Sequence, residues 1–365
     1  MVWPSLLVTL VGLLNIQRGS AYGVPNVPSH GGQPWGHIDF DSFVAFGDSY
    51  TDEQRLGYFI SHNGSAPPPG TLLAASNSTS DGGYIWTRYV TFYASRPGHS
   101  VKLYNYAVSG AVCDNDLGSR FFASINGPFP DIKNYEMPAF YADVNFRYSN
   151  GTKALDIDPS STVYAMWIGT NDLGTDEFLT DSQVPGKTLV DYLDCVYDMI
   201  DKIYANPING RYLVLMNIAP LQLVPMYQLM NISGLDEGYQ NATETHYRMW
   251  EQVALVNQAY EWRTMGEVMV KKRYPGMKIA VFDVNSLLTN IHDNPSQYLN
   301  GTAPANVTGY INHCNANGTD CMQQPSPDSY EWFDALHPSQ QTDRIIAQEF
   351  LRVVEGKSNY AWYFS

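Results

Sequence analysis

The sequence describes an acidic chain of globular composition. It has 365 residues, of which 44% are hydrophobic and 16% charged, so it is too apolar and too weakly charged to be intrinsically disordered. Its 21 basic and 36 acidic side chains give a formal net charge of −15. A chain this acidic offers no broad cationic surface of the kind that binds nucleic acids or anionic membranes, so we expect neither partner.

The first 21 residues have the pattern of a secretory signal peptide. Val2–Ile16 is predominantly apolar, and the small residues Gly19 and Ala21 precede a cleavage point after Ala21. This apolar run is shorter than the roughly 20 residues that a membrane span requires. We therefore predict a signal peptide over residues 1–21, a secreted protein and no membrane anchor.

Acceptor sequences for N-glycosylation are more frequent than chance allows. A chain of this length would carry about two by chance at average residue usage, whereas this chain has eight. Such sites mark surface loops of secreted proteins. We expect glycosylation at the following asparagines: Asn63, Asn77, Asn150, Asn231, Asn241, Asn300, Asn306 and Asn317.

The four cysteines form an even set, as expected for disulfides in an oxidising compartment. Cys314 and Cys321 enclose a short loop, which favours a local bridge between them. By elimination Cys113 would pair with Cys195, which is one of three possible connectivities. Because the chain has no CxxC or HxH pair, the cysteines do not suggest a zinc site, and we expect no metal.

Alternating apolar runs and amphipathic segments follow a Pro- and Gly-rich arm at residues 22–42. Five nearly continuous apolar runs predict buried strands at Phe43–Phe46, Val101–Val108, Thr162–Ile168, Arg211–Ile218 and Lys278–Val284. Helical spacing predicts helices at Tyr84–Tyr93, Leu189–Tyr204, Glu244–Arg273 and Gln340–Val354. Long loops are predicted at 63–81, 121–158 and 294–328. This alternation predicts one α/β domain at residues 43–365, with a five-stranded parallel sheet between two helical layers.

Polar motifs stand where the predicted strands end, and ligands bind at that edge of open α/β sheets. Ser49 follows the first strand, Gly110 the second and Asn171 the third, while Asp334 precedes His337 by three residues. A serine nucleophile needs a base within hydrogen-bond reach, a group that orients the base, and donors for the oxyanion. These residue types therefore predict acyl transfer through a serine.

Each motif has a structural alternative when it is taken alone. Ser49 could cap a helix after the Gly47 turn, and we interpret Asp48 and Asp172 as holding loop backbone rather than as catalytic groups. The motifs Gly-Asp-Ser, Gly-x-Asn-Asp and Asp-x-x-His would occur together in this order in roughly one chain in a thousand. Their combination favours the catalytic interpretation.

The sequence resembles the SGNH (GDSL-type) serine hydrolase superfamily. The resemblance rests on Phe46–Tyr50, Asn105–Gly110, Gly169–Asp172 and the pair Asp334 and His337, and it extends from Phe43 to about Glu355. The stretches Ser42–Asp52 and Asn105–Asn115 are similar to fungal carbohydrate esterase family 16, which are secreted acetylesterases. The superfamily carries a leucine after the serine, whereas this chain has Tyr50.

The resemblance implies a flavodoxin-like SGNH fold and a role for each motif residue. Ser49 would be the nucleophile, His337 the general base and Asp334 the group that orients it. The N–H groups of Ser49 and Gly110 and the side-chain amide of Asn171 would form the oxyanion hole. It also implies an acetylated hemicellulose (xylan or mannan) oligosaccharide as substrate and no cofactor, and we expect a monomer.

Two alternatives remain open from the sequence. The same machinery could act on longer acyl esters, as in a GDSL-type lipase or phospholipase. The chain could instead be a non-catalytic sugar-binding wall glycoprotein.

Overall fold

The structure, a computed structural model, describes residues 39–229, 241–315 and 320–365. The predicted signal peptide, residues 22–38 of the arm and the sequons at Asn231 and Asn317 lie outside these described residues. At the end of the arm, Phe40 is buried in the core and Ser42 begins the first strand. The folded domain therefore includes the last residues that we assigned to the arm.

The described chain contains short and long strands together with seven α-helices. The strands are β1 (Ser42–Gly47), β2 (Lys102–Asn105), β3 (Phe121–Phe122), β4 (Gly127–Pro128), β5 (Thr162–Trp167), β6 (Tyr212–Met216), β7 (Lys278–Phe282), β8 (Asn306–Tyr310), β9 (Asn312–His313), β10 (Met322–Gln323), β11 (Tyr330–Trp332) and β12 (Ala361–Phe364). The helices are α1 (Arg55–Ser61), α2 (Trp86–Ala94), α3 (Met137–Asn145), α4 (Leu189–Tyr204), α5 (Ala242–Met265), α6 (Val284–Asp293) and α7 (Gln340–Val354).

The main sheet has six strands in the order β12-β7-β6-β5-β1-β2. The five strands from β7 to β2 are parallel, and β12 pairs antiparallel with β7 at one edge. Ordered along the chain, the parallel strands run 2-1-3-4-5, the flavodoxin-like arrangement. From β1 the chain first adds β2 on one side and then returns to add β5 on the other side. The strand order therefore reverses between β1 and β5, and a crevice for a ligand opens at the carboxyl ends of these two strands.

Both faces of the sheet are covered, as the apolar runs require. On one face the Phe43 ring of β1 lies 5.8 Å from Trp86 of α2 and 5.1 Å from Phe350 of α7. Phe46 points to the opposite face, because side chains alternate along a strand, and its ring lies 5.3 Å from Phe140 of α3. The predicted α/β class with helices on both sides of the sheet is confirmed.

The structure differs from the predicted elements in several places, which include two helices, α1 and α6, that we did not predict. The second strand ends at Asn105 rather than at Val108, because the Asn105 side chain accepts the Ala107 N–H and donates to the Thr51 carbonyl, which turns the chain. The sheet has a sixth strand, β12, that we did not predict. Residues 137–145, which we assigned to a loop, form helix α3.

One disulfide is buried in this core, and most of the described glycosylation sequences lie at the surface. Disulfides join Cys113 to Cys195 and Cys314 to Cys321. The side chains of Asn63, Asn77, Asn150, Asn241 and Asn300 are exposed, whereas Asn306 is half-buried. Within residues 39–229, 241–315 and 320–365, no helix has both the length and the apolar character needed to cross a membrane.

Candidate active site

The carboxyl ends of three neighbouring strands bring the predicted site residues to one place. The Gly47 carbonyl at the end of β1 accepts the Val108 N–H at 3.0 Å, and Gly47 pairs with Trp167 of β5. Gly47 has φ +153°, and a Cβ there would lie 2.2 Å from the Trp167 carbonyl oxygen. Only glycine allows this approach, and it draws the segment that carries Ser49 against the segments that carry Gly110 and Asn171.

Ser49, His337 and Asp334 form a continuous chain of hydrogen bonds. The Ser49 Oγ lies 2.9 Å from His337 Nε2, and His337 Nδ1 lies 2.9 Å from both carboxylate oxygens of Asp334. Ser49 and His337 are separated by 288 positions in the sequence, so only the tertiary fold joins them. The geometry suits transfer of the serine proton to Nε2 while the carboxylate holds a proton on Nδ1.

A tight turn and a tyrosine position the imidazole. Asp334 Oδ1 accepts the backbone N–H groups of Leu336 and His337, each at 2.8 Å. Tyr50, which is fully buried, donates its hydroxyl to the Leu336 carbonyl at 2.9 Å, and its ring lies edge-on 5.7 Å from His337. The residue that departs from the superfamily pattern therefore packs against the histidine and its turn.

The charges near His337 favour its protonated form. Burial lowers the pKa of His337, but the Asp334 carboxylate, followed by Asp81 and Asp48, outweighs burial and raises the pKa to about 9. The pKa of Asp334 is affected in the opposite direction: burial raises it, and His337 and two backbone N–H groups bring it below its ordinary value. The pair therefore favours an imidazolium beside a carboxylate.

Three further carboxyl groups are buried around the site. Burial raises the pKa of Asp48 to about 6, although the Tyr50 N–H stabilises its charged form. Burial, followed by the charge of Asp343, raises the pKa of Asp81 well above its usual range, and burial also raises that of Asp343, its hydrogen-bond partner. Two buried carboxyl groups in contact favour sharing one proton.

Backbone and side-chain donors surround the position beside Ser49 Oγ. Among the described residues, the N–H groups of Ser49 and Gly110 donate to no protein acceptor. The Asn171 amide donates one hydrogen through Nδ2 to the Ala111 carbonyl at 2.9 Å, which leaves its second hydrogen unused by that bond. Gly110 has φ +84°, and a Cβ would lie 2.4 Å from the Phe129 ring. These donors can serve a developing oxyanion.

Asp172 lies next to Asn171 and holds the backbone. Its Oδ1 accepts the Cys113 N–H at 2.9 Å, and its side chain is almost completely buried. It thus ties the segment after β2 to the end of β5. No group of three or more histidine, cysteine, aspartate or glutamate side chains in the described ranges is arranged to hold a metal ion.

Arg120 is a residue of this site that sequence reasoning missed. It immediately precedes β3, and its Nη1 donates to Asn171 Oδ1 at 2.7 Å and to the Gly110 carbonyl at 3.2 Å. No motif marks it, because it lies 10 and 51 positions from these two partners and just outside the loop that we predicted at residues 121–158. Only the general preference of arginine for carbonyl and carboxylate oxygens could have suggested it.

Comparison with known proteins places this chain in a family. Residues 43–350 match the GDSL-like Lipase/Acylhydrolase family. The chain is 40% identical over 339 residues to an acetylesterase of Hypocrea jecorina, with 91% of this chain and 93% of that protein covered. An acetylxylan esterase of Geobacillus stearothermophilus is similar in structure at 14% identity, with a TM-score of 0.41, 88% of this chain and 96% of that chain covered.

The chain belongs to the GDSL-like lipase/acylhydrolase family, because the family match covers most of its length. It is a carboxylic ester hydrolase. The resemblance noted from the motifs is confirmed, and the alternative of a wall protein without catalysis is wrong.

Proposed function

We propose that the protein is a secreted serine esterase that releases acetate from acetylated xylan or mannan oligosaccharides. The hydrogen-bonded chain from Ser49 through His337 to Asp334 carries the reaction type. The extensive identity with a protein named acetylesterase supports the acetyl group as the acyl part. The apolar leader, the sequons and the two disulfides support secretion.

The reaction proceeds through an acyl-enzyme. Ser49 Oγ attacks the acetyl carbonyl carbon while its proton passes to His337 Nε2, and Asp334 stabilises the imidazolium that forms. The N–H groups of Ser49 and Gly110 and the Asn171 amide bind the oxyanion. The sugar hydroxyl departs with the proton from His337. Water then attacks the acetyl-serine by the reverse proton path and releases acetate.

Acetate release from acetylated xylo- and manno-oligosaccharides, measured beside 4-nitrophenyl esters of increasing acyl length, tests the substrate. We expect fast acetate release from the sugars and rates on the synthetic esters that collapse beyond short acyl chains. Rates that increase with acyl length while the sugar esters remain intact would contradict the proposal and indicate a lipase or phospholipase.

Replacing Asn171 by alanine is expected to lower kcat by roughly 10²–10³ while KM stays nearly constant, because one oxyanion donor is lost. Steady-state kinetics on 4-nitrophenyl acetate measures both constants. A change in KM with unchanged kcat would remove Asn171 from the oxyanion hole, because it would indicate that the amide binds substrate and transition state equally.

The activity should increase with pH through the neutral range. Only neutral imidazole can accept the serine proton, so kcat/KM decreases as pH falls below the His337 pKa. Since neighbouring carboxylates raise that pKa to about 9, the rise of kcat/KM with pH should have its midpoint above the ordinary pKa of histidine. Profiles on 4-nitrophenyl acetate, corrected for spontaneous hydrolysis, check this. A profile that is flat from neutral to acidic pH would contradict it.

A further inference from the structure

Arg120 contacts two residues of the proposed oxyanion hole. Its Nη1 donates to two oxygens that belong to proposed oxyanion-hole residues, Asn171 Oδ1 at 2.7 Å and the Gly110 carbonyl at 3.2 Å. Its guanidinium lies 5.1 Å from the centre of the Phe129 ring, against which Phe122 stacks at 4.2 Å. One side chain thus joins the segments after β2 and β5 and the hairpin formed by β3 and β4.

The chemistry of the two partners determines which way the Asn171 amide faces. A guanidinium is always charged and only donates, so it can face only the oxygen of an amide. The Ala111 carbonyl only accepts, so it can face only the nitrogen, and it binds Nδ2 at 2.9 Å. If the Asn171 amide were rotated by half a turn, its NH₂ group would face the Arg120 guanidinium and its oxygen would face the Ala111 carbonyl oxygen. Neither pair can form a hydrogen bond. Arg120 and Ala111 together hold Asn171 with its nitrogen available to the oxyanion.

Arg120 holds Gly110 in a similar way. The Gly110 carbonyl accepts from Arg120, and the Phe129 ring occupies the space where a side chain at Gly110 would lie, 2.4 Å from the ideal Cβ. At φ +84° Gly110 has few intrinsic restraints, because glycine is the most flexible residue. Contacts on its carbonyl and on its Cα side therefore restrict the orientation of the peptide that carries its N–H.

We propose that Arg120 is a positioning residue for the oxyanion hole, an inference that rests on the function proposed above. It keeps the Asn171 amide and the Gly110 peptide in the orientation that binds the oxyanion, and its charge polarises the Asn171 amide so that Nδ2 becomes a stronger donor. Preorganised donors of this kind stabilise the transition state more than the bound ester. The residue therefore acts on kcat and not on KM.

A double-mutant cycle between Arg120 and Asn171 tests this. Arg120→Ala should lower kcat by about 10- to 100-fold in the parent enzyme with KM changed less than about twofold, below the loss of a direct donor. In the Asn171→Ala background the loss should be clearly smaller, because the part that acts through the Asn171 amide is gone and only the part that acts through Gly110 remains. Equal losses in both backgrounds would overturn the proposal, as would a change confined to KM.

Further variants separate positioning from folding. Arg120→Lys keeps a cationic donor and should recover most of the lost kcat, whereas Arg120→Gln, whose amide also carries an acceptor, should not. Burial raises the pKa of the Glu177 carboxyl to about 7, and the charge of Arg120 partly offsets this effect. The Arg120→Ala/Glu177→Gln double variant removes both side-chain charges and keeps the test valid if Arg120→Ala alone folds poorly. No recovery with lysine would contradict the proposal.

Arg248→Ala is the matched control. Arg248 also donates to a backbone carbonyl, that of Phe178, and pairs with Asp181, outside the site. We expect kcat within about twofold of the parent. The outcomes also separate the two proposals: if Asn171→Ala leaves kcat unchanged, the oxyanion hole itself is wrongly assigned. If Asn171→Ala is slow and Arg120→Ala is not, only the role of Arg120 is wrong.

Discussion

Replacing Ser49 by alanine is expected to lower kcat by about 10⁶, because the proposed mechanism loses its nucleophile. The Ser49 hydroxyl bonds to His337 Nε2 at 2.9 Å, so its loss removes one hydrogen bond. The fold should therefore persist, with far-UV circular dichroism and the thermal midpoint close to those of the parent. Activity is measured as acetate release and as hydrolysis of 4-nitrophenyl acetate.

Ser109 offers a matched control for this experiment. It lies in the segment that follows the neighbouring strand β2, and its hydroxyl donates to Asp52 Oδ2 at 2.9 Å rather than to His337. Ser109→Ala should retain activity within about tenfold of the parent, a loss far smaller than removal of a nucleophile causes. Turnover near the parent level by pure Ser49→Ala protein would show that the nucleophile is a different group.

Replacing Asp334 by asparagine should lower kcat by about 10⁴, because an amide cannot hold His337 in the tautomer that accepts at Nε2. The Asn Oδ1 could still accept the N–H groups of Leu336 and His337, so the turn should survive. Removal of the charge that most raises the His337 pKa should also move the pH limb of kcat/KM toward lower pH.

Asp328→Asn is the control for that variant. Asp328 forms an ion pair of 2.7 Å with Arg344 outside the site, so its replacement should leave both kcat and the pH profile near those of the parent. A loss of less than tenfold in Asp334→Asn, or a pH limb that does not move, would indicate that another group orients His337.

Local patterns predicted most of the sheet and marked the candidate site residues, for physical reasons. A strand buried on both faces needs a nearly continuous apolar run. The strands Thr162–Trp167 and Lys278–Phe282 have such runs, so their positions can be predicted from the sequence without knowledge of the tertiary structure. Asp334 and His337 lie on one turn, where three positions suffice to bring carboxylate and imidazole together. Short-range geometry of this kind is encoded within a few residues.

Edge and loop elements lacked such signals. The strand Ala361–Phe364 pairs on one side only and is half-buried over most of its length, so its apolar residues do not form a distinctive core run. Helix α3 lies within a stretch of prolines and aromatic residues, and its hydrophobic residues are divided between Met137 and Phe140 in the core and partly covered neighbours. In both cases packing against distant elements, rather than local preference, determines the structure.

By itself the sequence determined the α/β class, the order of the candidate site motifs and the positions of three of them after strands, because periodicity and short spacing carry that information. Only the tertiary structure decided that Tyr50 packs on His337, that Asp81 meets Asp343, and that Arg120 holds Asn171 and Gly110. Apart from the Gly110 contact, these contacts join side chains from distant parts of the chain, and no local pattern records which distant residue a polar side chain will meet. Such partners are selected when the strands and loops assemble around one edge of the sheet.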